Sequence, residues 1–454
     1  MKICAYVQGA YAKQNYANEC MDKRQFVGLR VIVDCLVRAG YEVDYAGVSS
    51  VHQYDVVLVS LTSDCDWWPF IQERQKWKRG EYKVLIGGAG VLHVSPFLPW
   101  FYAAMFGRGE NLIVPLVKAI ERGEQWENES VAYADDFSED RIYRIAQVRN
   151  GYPHPVPLVE GAQFCETTIG CNHRCLFCGY TWQRRFVSPH KTYQMDSALF
   201  TDISNKELAM LDMAKDKTAI DFSHLRTTAI DGFSERIRFG VNKKISREMM
   251  RDFLVAMIES DAAPHRLKIY NICGYPSETT EDWQEYAETV AEADAIAKPG
   301  SKQWGIDLHS TPFRPMPATP MACAAASKKN YRGLIGKTIG TRFQNGILFQ
   351  GRSVWSAESL WTDGLPTVML SMICHRGSRE DAENIGKLCA TPKFWRASGP
   401  VKEATLLKYF NMDRLFSAFT PETLPSRYLR TYANVEKMWG KTPLEQEWRK
   451  QHED

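Results

Sequence analysis

Cys171, Cys175 and Cys178 fall within eight residues, in the segment Thr168-Ile169-Gly170-Cys171-Asn172-His173-Arg174-Cys175-Leu176-Phe177-Cys178-Gly179. Three thiolates spaced x3-x2 on one tight loop can hold three irons of a cubane 4Fe-4S cluster and leave the fourth iron without a protein ligand. An iron left open in this way can chelate the amino and carboxylate groups of S-adenosylmethionine (SAM). An electron passed through the cluster then breaks the sulfonium bond and releases a 5'-deoxyadenosyl radical, while the protein supplies position and exclusion of water. The competing chemistry is a closed zinc or ferredoxin-type site, with Cys165 six residues upstream as a fourth ligand. Structural zinc normally wants four ligands, commonly in two Cys-x-x-Cys-like pairs. The x3-x2 spacing and the aromatic Phe177 before the last cysteine favour the open cluster, and His173 reads as a loop residue. The other nine cysteines (Cys4, Cys20, Cys35, Cys65, Cys165, Cys273, Cys323, Cys374 and Cys389) are scattered without a second close pair, so nothing marks an auxiliary cluster.

The elements that position this loop follow from length and pattern. A chain of 454 residues implies two or three domains, and 44% hydrophobic with 24% charged residues is a globular composition. The net charge of +2 points to no particular partner. No apolar run approaches the roughly 20 residues of a membrane helix, and Met1 to Val7 reads as a strand rather than a signal peptide. A cytoplasmic protein without membrane contact, its cysteines being thiols or metal ligands, is therefore expected. Residues 1 to 123 alternate strand and helix: Lys2–Val7, an amphipathic stretch Asp22–Ala39, Tyr41–Ala46, Tyr54–Leu61, a helical stretch Trp67–Lys78, and Tyr82–Ile86. Such alternation predicts an α/β fold with a doubly wound parallel sheet, its ligand edge beyond the strand C-termini. Gln8–Glu19, Ser60-Leu61-Thr62-Ser63, Gly87-Gly88-Ala89-Gly90 and Gly107-Arg108-Gly109-Glu110 fall at that edge, where glycine lets backbone approach a ligand or simply makes an ordinary turn. No GxGxxG or Walker-type lysine loop is present, which argues against a dinucleotide or nucleoside triphosphate site. Glu121 to Arg141 is acidic and reads as a linker. After Gly151-Tyr152-Pro153-His154-Pro155 strand-helix alternation resumes to about Met321.

The cysteine segment resembles the signature of the radical SAM superfamily. More narrowly, the chain is similar to the subclass with an N-terminal cobalamin-binding-like, Rossmann-type domain. Val57-Leu58-Val59-Ser60-Leu61-Thr62, Val84-Leu85-Ile86-Gly87-Gly88 and Gly107-Arg108-Gly109-Glu110 carry the likeness in the first part. Ser223-His224-Leu225-Arg226, Phe233-Ser234-Glu235-Arg236-Ile237-Arg238 with Asn242-Lys243, Gly274-Tyr275-Pro276-Ser277-Glu278-Thr279 and Phe313-Arg314-Pro315-Met316-Pro317-Ala318-Thr319-Pro320 carry it in the second. The resemblance implies a Rossmann or flavodoxin-like domain over 1–123 and a linker over 124–160. A partial (β/α)6 TIM-type barrel would follow over 161–321, then a C-terminal extension over 322–454 completing the substrate pocket. It implies SAM across the barrel strand ends, with Phe177 and Gly179 beside adenine. Arg226, Asp231 and Ser234 would meet the carboxylate or ribose, and Gly274 and Pro276 would shape the next strand end. In the first domain it implies a cofactor crevice at Ser60, Thr62, Gly87, Gly88, Gly107, Gly109 and Glu110. It also implies an electron donor such as flavodoxin or ferredoxin. The sequence departs from the subclass in one respect: the D-x-H-x-x-G loop whose histidine ligates cobalt is missing. Gln8–Glu19 contains no histidine, and neither His52 nor His93 stands in that context. Cobalamin binding thus stays open, with Trp67 and Trp68 either beneath the metal or packed in the core.

The sequence names no catalytic side chain beyond the cluster ligands. Leu308 to Ala357 contains no acidic residue but Arg314, Lys328, Lys329, Arg332, Lys337, Arg342 and Arg352, interleaved with Tyr331, Phe343, Phe349 and Trp355. That mixture suits phosphate contact with base stacking, or a solvated basic face. Arg184-Arg185 to Lys191 forms a shorter basic run, and Arg427, Tyr428, Arg430, Tyr432, Lys437 and Trp439 a third. The expected function is radical functionalisation of an unactivated carbon, by cobalamin-dependent methylation or by rearrangement, on a small-molecule or nucleic-acid substrate. Modification of a nucleic-acid base or nucleotide, in tRNA or DNA, is the alternative substrate. A non-enzymatic nucleic-acid-binding module with a structural zinc is the alternative class.

Overall fold

The computed structural model describes residues 1–6, 27–149, 151–157, 163–166, 169–171, 173–187, 198–200, 222, 227–263, 266–297, 304–331, 333–335, 338, 361–362 and 364–452. Strands β1 (Ile3–Tyr6), β2 (Val43–Ala46), β3 (Val56–Ser60), β4 (Lys83–Gly87), β5 (Ala103–Met105) and β6 (Val131–Tyr133) form one sheet in the order β2-β1-β3-β4-β5-β6. All pairings are parallel except β6 on β5. The strand order reverses beside β1, which opens a crevice at the carboxyl ends of β1 and β3.

The strands are short apolar runs because both faces are covered. Ile3, Ala5, Val56, Leu58 and Leu85 face a core closed by helices α1 (Val27–Arg38) and α3 (Ile113–Glu121). Cys4, Tyr6, Val57, Val59, Val84 and Ile86 face the other core, to which helix α2 (Trp67–Arg74) contributes Trp67, Phe70 and Ile71. The acidic stretch expected as a linker does more than connect. Its one apolar triplet, Val131-Ala132-Tyr133, is buried and supplies β6.

Further on, β7 (Tyr143–Arg144) precedes a small sheet of β8 (Val156–Pro157), β9 (Gln163–Cys165) and β10 (Ala198–Phe200), in which β9 and β10 are parallel. Strands β11 (Thr227–Ala229), β12 (Arg266–Cys273), β13 (Gly305–Pro312) and β14 (Trp361–Thr362) form a separate, wholly parallel sheet. Thus, among the described residues, the parallel strands of the second half lie in two sheets and not in one continuous curved sheet. Helix α4 (Gly179–Gln183) follows the cysteine loop, and α5 (Glu235–Gly240), α6 (Arg247–Glu259) and α7 (Thr280–Ile296) accompany the parallel sheet. Their starts are written locally. Ser234 and Ser246 accept from the backbone N–H groups of Ile237 and Met249, and Thr279 with Asp282 forms a capping box. Phe253, Leu254 and Met257 of α6 and Trp283, Tyr286 and Val290 of α7 close a core on Leu267, Ile269, Ile306 and Leu308.

The C-terminal segment contains α8 (Leu365–Arg376), α9 (Ala382–Cys389), α10 (Pro392–Arg396), α11 (Gly399–Tyr409), α12 (Met412–Phe416), β15 (Leu429–Arg430) and α13 (Pro443–His452). Most of it covers the first sheet: Val368, Met372, Ile385, Leu388, Phe394 and Phe416 share one core with Tyr6, Val59 and Trp67. β15 pairs in parallel with β7. No described helix is long and apolar enough to cross a membrane.

Candidate functional site

The cysteine loop is pinned by its carbonyls. Thr181 Oγ1 donates to Cys171 O (2.6 Å), Trp182 Nε1 to Cys175 O (2.9 Å), and Asn242 Nδ2 to His173 O and Arg174 O (both 3.0 Å). Leu176 N–H donates to Val241 O at 2.9 Å. Arg174 adopts a left-handed φ of 52°, which turns the chain between the first two cysteines. None of the three cysteines is joined in a disulfide. Burial pushes the Cys175 thiol up to about 12, with Lys243 pulling it down. Among the described residues no group of three or more His, Cys, Asp or Glu side chains is arranged to hold a metal ion. The chemistry of the donor set, three thiols on one pinned loop, nevertheless fits an iron-sulfur cluster. The side chain of Cys165, the alternative fourth ligand, lies outside the described residues.

Two cavities meet beside this loop. The first, about 350 Å³, opens at the carboxyl edge of the first sheet and is lined by Ser60, Thr62, Gly87, Gly88, Gly107, Gly109 and Glu110. These are the crevice residues expected from sequence, brought together as the strand order requires. Two glycines serve the chain itself as well. A Cβ on Gly88 (φ +108°) would meet Leu61 O at 2.3 Å, and one on Gly107 (φ +87°) would meet Ala146 O at 2.5 Å. The described lining contains no histidine. The loop Gln8–Glu19 lies outside the described residues. Trp67 and Trp68 are buried core residues, Trp67 stacking on Phe97 at 4.0 Å, and neither reaches this cavity.

Glu110 does not present a free carboxylate to the cavity. Arg108 Nε donates to it at 2.8 Å, and the Arg108 fork also grips both oxygens of Glu166 at 2.6 Å. Glu166 in turn accepts from Tyr152 N–H at 2.8 Å. This knot ties the first sheet to the strand leading into the cysteine loop. Replacing Arg108 by methionine would leave two facing carboxylates, only 11% and 13% exposed, without their cation. The expected loss is about 2 kcal/mol, read as a lowered urea midpoint at unchanged m-value; an unshifted midpoint would refute it.

The second cavity, about 460 Å³, is enclosed by Phe177, Cys178 and Gly179 and by the loops Thr62–Asp64 and Ala89–His93. The end of β13 with Thr311–Arg314, and Cys374 and His375 of α8, complete it. Thr62, Ala89, Leu92, Tyr180, Gln183 and Arg184 line both cavities, so a single partition separates them. Asp64 anchors part of the chamber wall. Its Oδ1 accepts from Ser63 (2.9 Å), and its Oδ2 accepts from Ser371 and faces His375 Nε2 (3.2 Å). Burial pushes the Asp64 carboxyl up, but His375, Arg314 and Ser371 outweigh it and hold the group well below the usual carboxylate range.

The residues expected around SAM are divided. Phe177 and Gly179 line the chamber, Phe177 lying 5.9 Å from the Tyr275 ring. Asp231, at a left-handed φ of 53°, pairs with the buried Lys243 Nζ at 2.6 Å, and both groups act electrostatically on Cys175. Ser234 is engaged by Asp282 Oδ1 (2.5 Å) and by its helix cap. Gly274 (φ +75°) sits against Tyr331 and donates its N–H to Glu278. Arg226 lies outside the described residues. Of the basic stretch, Lys328 pairs with Asp413, Tyr331 is buried core, and Arg332, Lys337, Arg342, Phe343, Phe349, Arg352 and Trp355 lie outside the described residues. Tyr428 and Trp439 are buried packing residues. Sequence reasoning missed Asp64, Glu166, Tyr180, Gln183 and His375. Only Arg184 carried a signal, as part of a basic run.

Burial pushes the Glu278 carboxyl up from 4.5 to about 8, against the Gly274 N–H that favours its charged form. The native state therefore holds a proton that the unfolded chain releases near 4.5, and stability should fall as pH rises from about 4.5 to about 8. Thermal midpoints over that range should drop less in Glu278→Gln than in the parent, and parallel curves would contradict the assignment.

No family model matches the chain, and no curated protein does. Among solved structures it is similar to the apo, selenomethionine-labelled cobalamin-dependent S-adenosylmethionine radical enzyme OxsB. The TM-score is 0.25 and the identity 12%, over 88% of this chain and 57% of that one. The chain thus spans little more than half of that enzyme's length, and a likeness of this size carries no conclusion about it.

Proposed function

We propose that this chain is a radical SAM enzyme whose Cys171, Cys175 and Cys178 hold a 4Fe-4S cluster, with a partial (β/α) barrel around it. The observation that carries this is that the three-thiol loop reaches the wall of a cavity through Phe177, Cys178 and Gly179, one partition away from a second cavity at the edge of a doubly wound sheet. When bound, the cluster supplies the electron that cleaves SAM and so starts hydrogen abstraction at an unactivated carbon. The chain's own residues do the rest. Phe177 and the backbone at Gly179 offer a face for adenine, and Ile272, Pro312, Phe313 and Met316 give the chamber an apolar wall. Asp64 and His375 hold each other in the chamber wall, which would keep a bound substrate in one position.

The first cavity is the candidate cobalamin site. Its described lining supplies no histidine beneath a cobalt, so a corrinoid would bind there without that ligand, and no step is derived through it. Substrate methylation and radical rearrangement are the two outcomes this arrangement accommodates. Anaerobic reconstitution with iron and sulfide should load about four irons per chain. With dithionite and SAM it should release 5'-deoxyadenosine or, from a methylating enzyme, S-adenosylhomocysteine. Neither product forming in iron-loaded protein would defeat the proposal. Cobalt in a metal census of anaerobically purified protein would assign the first cavity to a corrinoid.

A further inference from the structure

The partition between the cavities contains two donors with nothing to bond. Gln183 Nε2 and Arg184 Nη1 are both buried and without a hydrogen-bond partner, and Gln183 as a whole is only 4% exposed. Buried donors are normally paired, and orphans mark places where an ion, water or ligand completes them. Arg184 is held there by its guanidinium, which lies 4.3 Å from the Tyr180 ring centroid. Around the same chamber, among the described residues, stand Arg314 and His375 but only one carboxylate, Asp64. That carboxylate is already engaged by Ser63, Ser371 and His375 and lies in the field of Arg314. His375 Nδ1 lies 3.0 Å from Pro315 O, which can only accept, so that ring nitrogen carries a proton. In the first cavity, Glu110 and Glu166 are both occupied by Arg108. Around the second cavity, therefore, the described lining sets two guanidinium groups, Arg184 and Arg314, against one carboxylate.

We infer that the chamber receives a substrate bearing an oxyanion, a phosphate or a carboxylate, whose oxygens are bound by Gln183 Nε2 and Arg184 Nη1. Arg314 adds positive charge to the same space. The planar guanidinium suits either group, since both present oxygens at matching spacing. The inference rests on the proposed function in one respect, that the second cavity is the substrate chamber. In that mode the carboxylate of SAM is occupied by the open iron, so the oxyanion belongs to the second ligand.

The test is isothermal titration of the anaerobically purified full chain, without iron or SAM, using sodium phosphate and sodium acetate separately, with sodium chloride at matched ionic strength as control. Saturable binding of phosphate or acetate beyond the chloride response is expected, and the tighter of the two names the group. Arg184→Gln should weaken it roughly tenfold or more, and Arg184→Lys less, because lysine keeps the charge but not the fork. Gln183→Leu provides a second reading should the arginine variants misfold by circular dichroism. Heats equal to those of chloride, or unchanged affinity in all the folded variants, would overturn the inference. So would variants that weaken SAM binding while leaving the anion untouched. Since the titration needs no cluster, its failure is separate from failure of SAM cleavage.

Discussion

Cys175→Ala is expected to abolish SAM cleavage completely while the protein stays folded. In the proposed site the sulfur is one of three that would hold the cluster, and two thiolates cannot hold three irons. The fold has no comparable stake in it. The bonds that pin the loop at this residue use its backbone: Trp182 Nε1 donates to the carbonyl, and Cys178 N–H donates to the same oxygen at 3.1 Å. Alanine preserves both and removes one buried sulfur, a loss of about 1 kcal/mol. Iron content, deoxyadenosine release and the thermal midpoint together decide the matter. If the site were structural zinc, the same substitution would unfold the protein, because a metal that organises a site also supplies its folding energy. Loss of SAM cleavage with a preserved midpoint is the expected pattern.

Arg376→Met should be the most destabilising single change outside the cysteine loop, costing about 3–5 kcal/mol. The guanidinium at the end of α8 is 1% exposed and bonds four carbonyl oxygens. Nη1 reaches Leu415 O (3.1 Å) and Ser417 O (2.7 Å), and Nη2 reaches Ala322 O (2.8 Å) and Ala324 O (2.6 Å). It therefore fastens the segment beyond β13 to the chain end of α12 and to the helix that carries His375. Methionine fills much of the volume but strands four buried acceptors. Lysine would keep the charge without the planar fork, and should recover only part of the loss. Urea denaturation followed by circular dichroism gives the comparison, and a loss below about 1 kcal/mol would show the hub to be dispensable.

What could be read from sequence tracks how local the determinants are. β-α alternation located the sheet, and its carboxyl edge gathered Ser60, Thr62, Gly87, Gly88, Gly107, Gly109 and Glu110 into one cavity, because strand direction and order leave few other arrangements. The cysteine spacing singled out the loop as a candidate because thiol chemistry depends on spacing directly. What escaped was set by partners far along the chain. Glu110 looked like a ligand group until Arg108 and Glu166 were seen to enclose it. Asp64 gave no sign of meeting His375, which lies 311 residues away. Trp67 and Trp68 allowed two orientations, and only the helices over the first sheet decide for the core. Ser234 read as a ligand contact because a helix cap and a substrate hydroxyl contact call for the same residue type.

The shared core between the first sheet and α8 to α12 bears on the order in which the molecule is made. A ribosome delivers β1 to β5 some 260 residues before it delivers α8. During that interval one side of the sheet can close on α1 and α3, while the aromatic side bearing Tyr6, Trp67 and Phe97 waits uncovered. Nascent chains of this protein therefore pass through a stage that is sticky by construction, and chaperone demand should peak there.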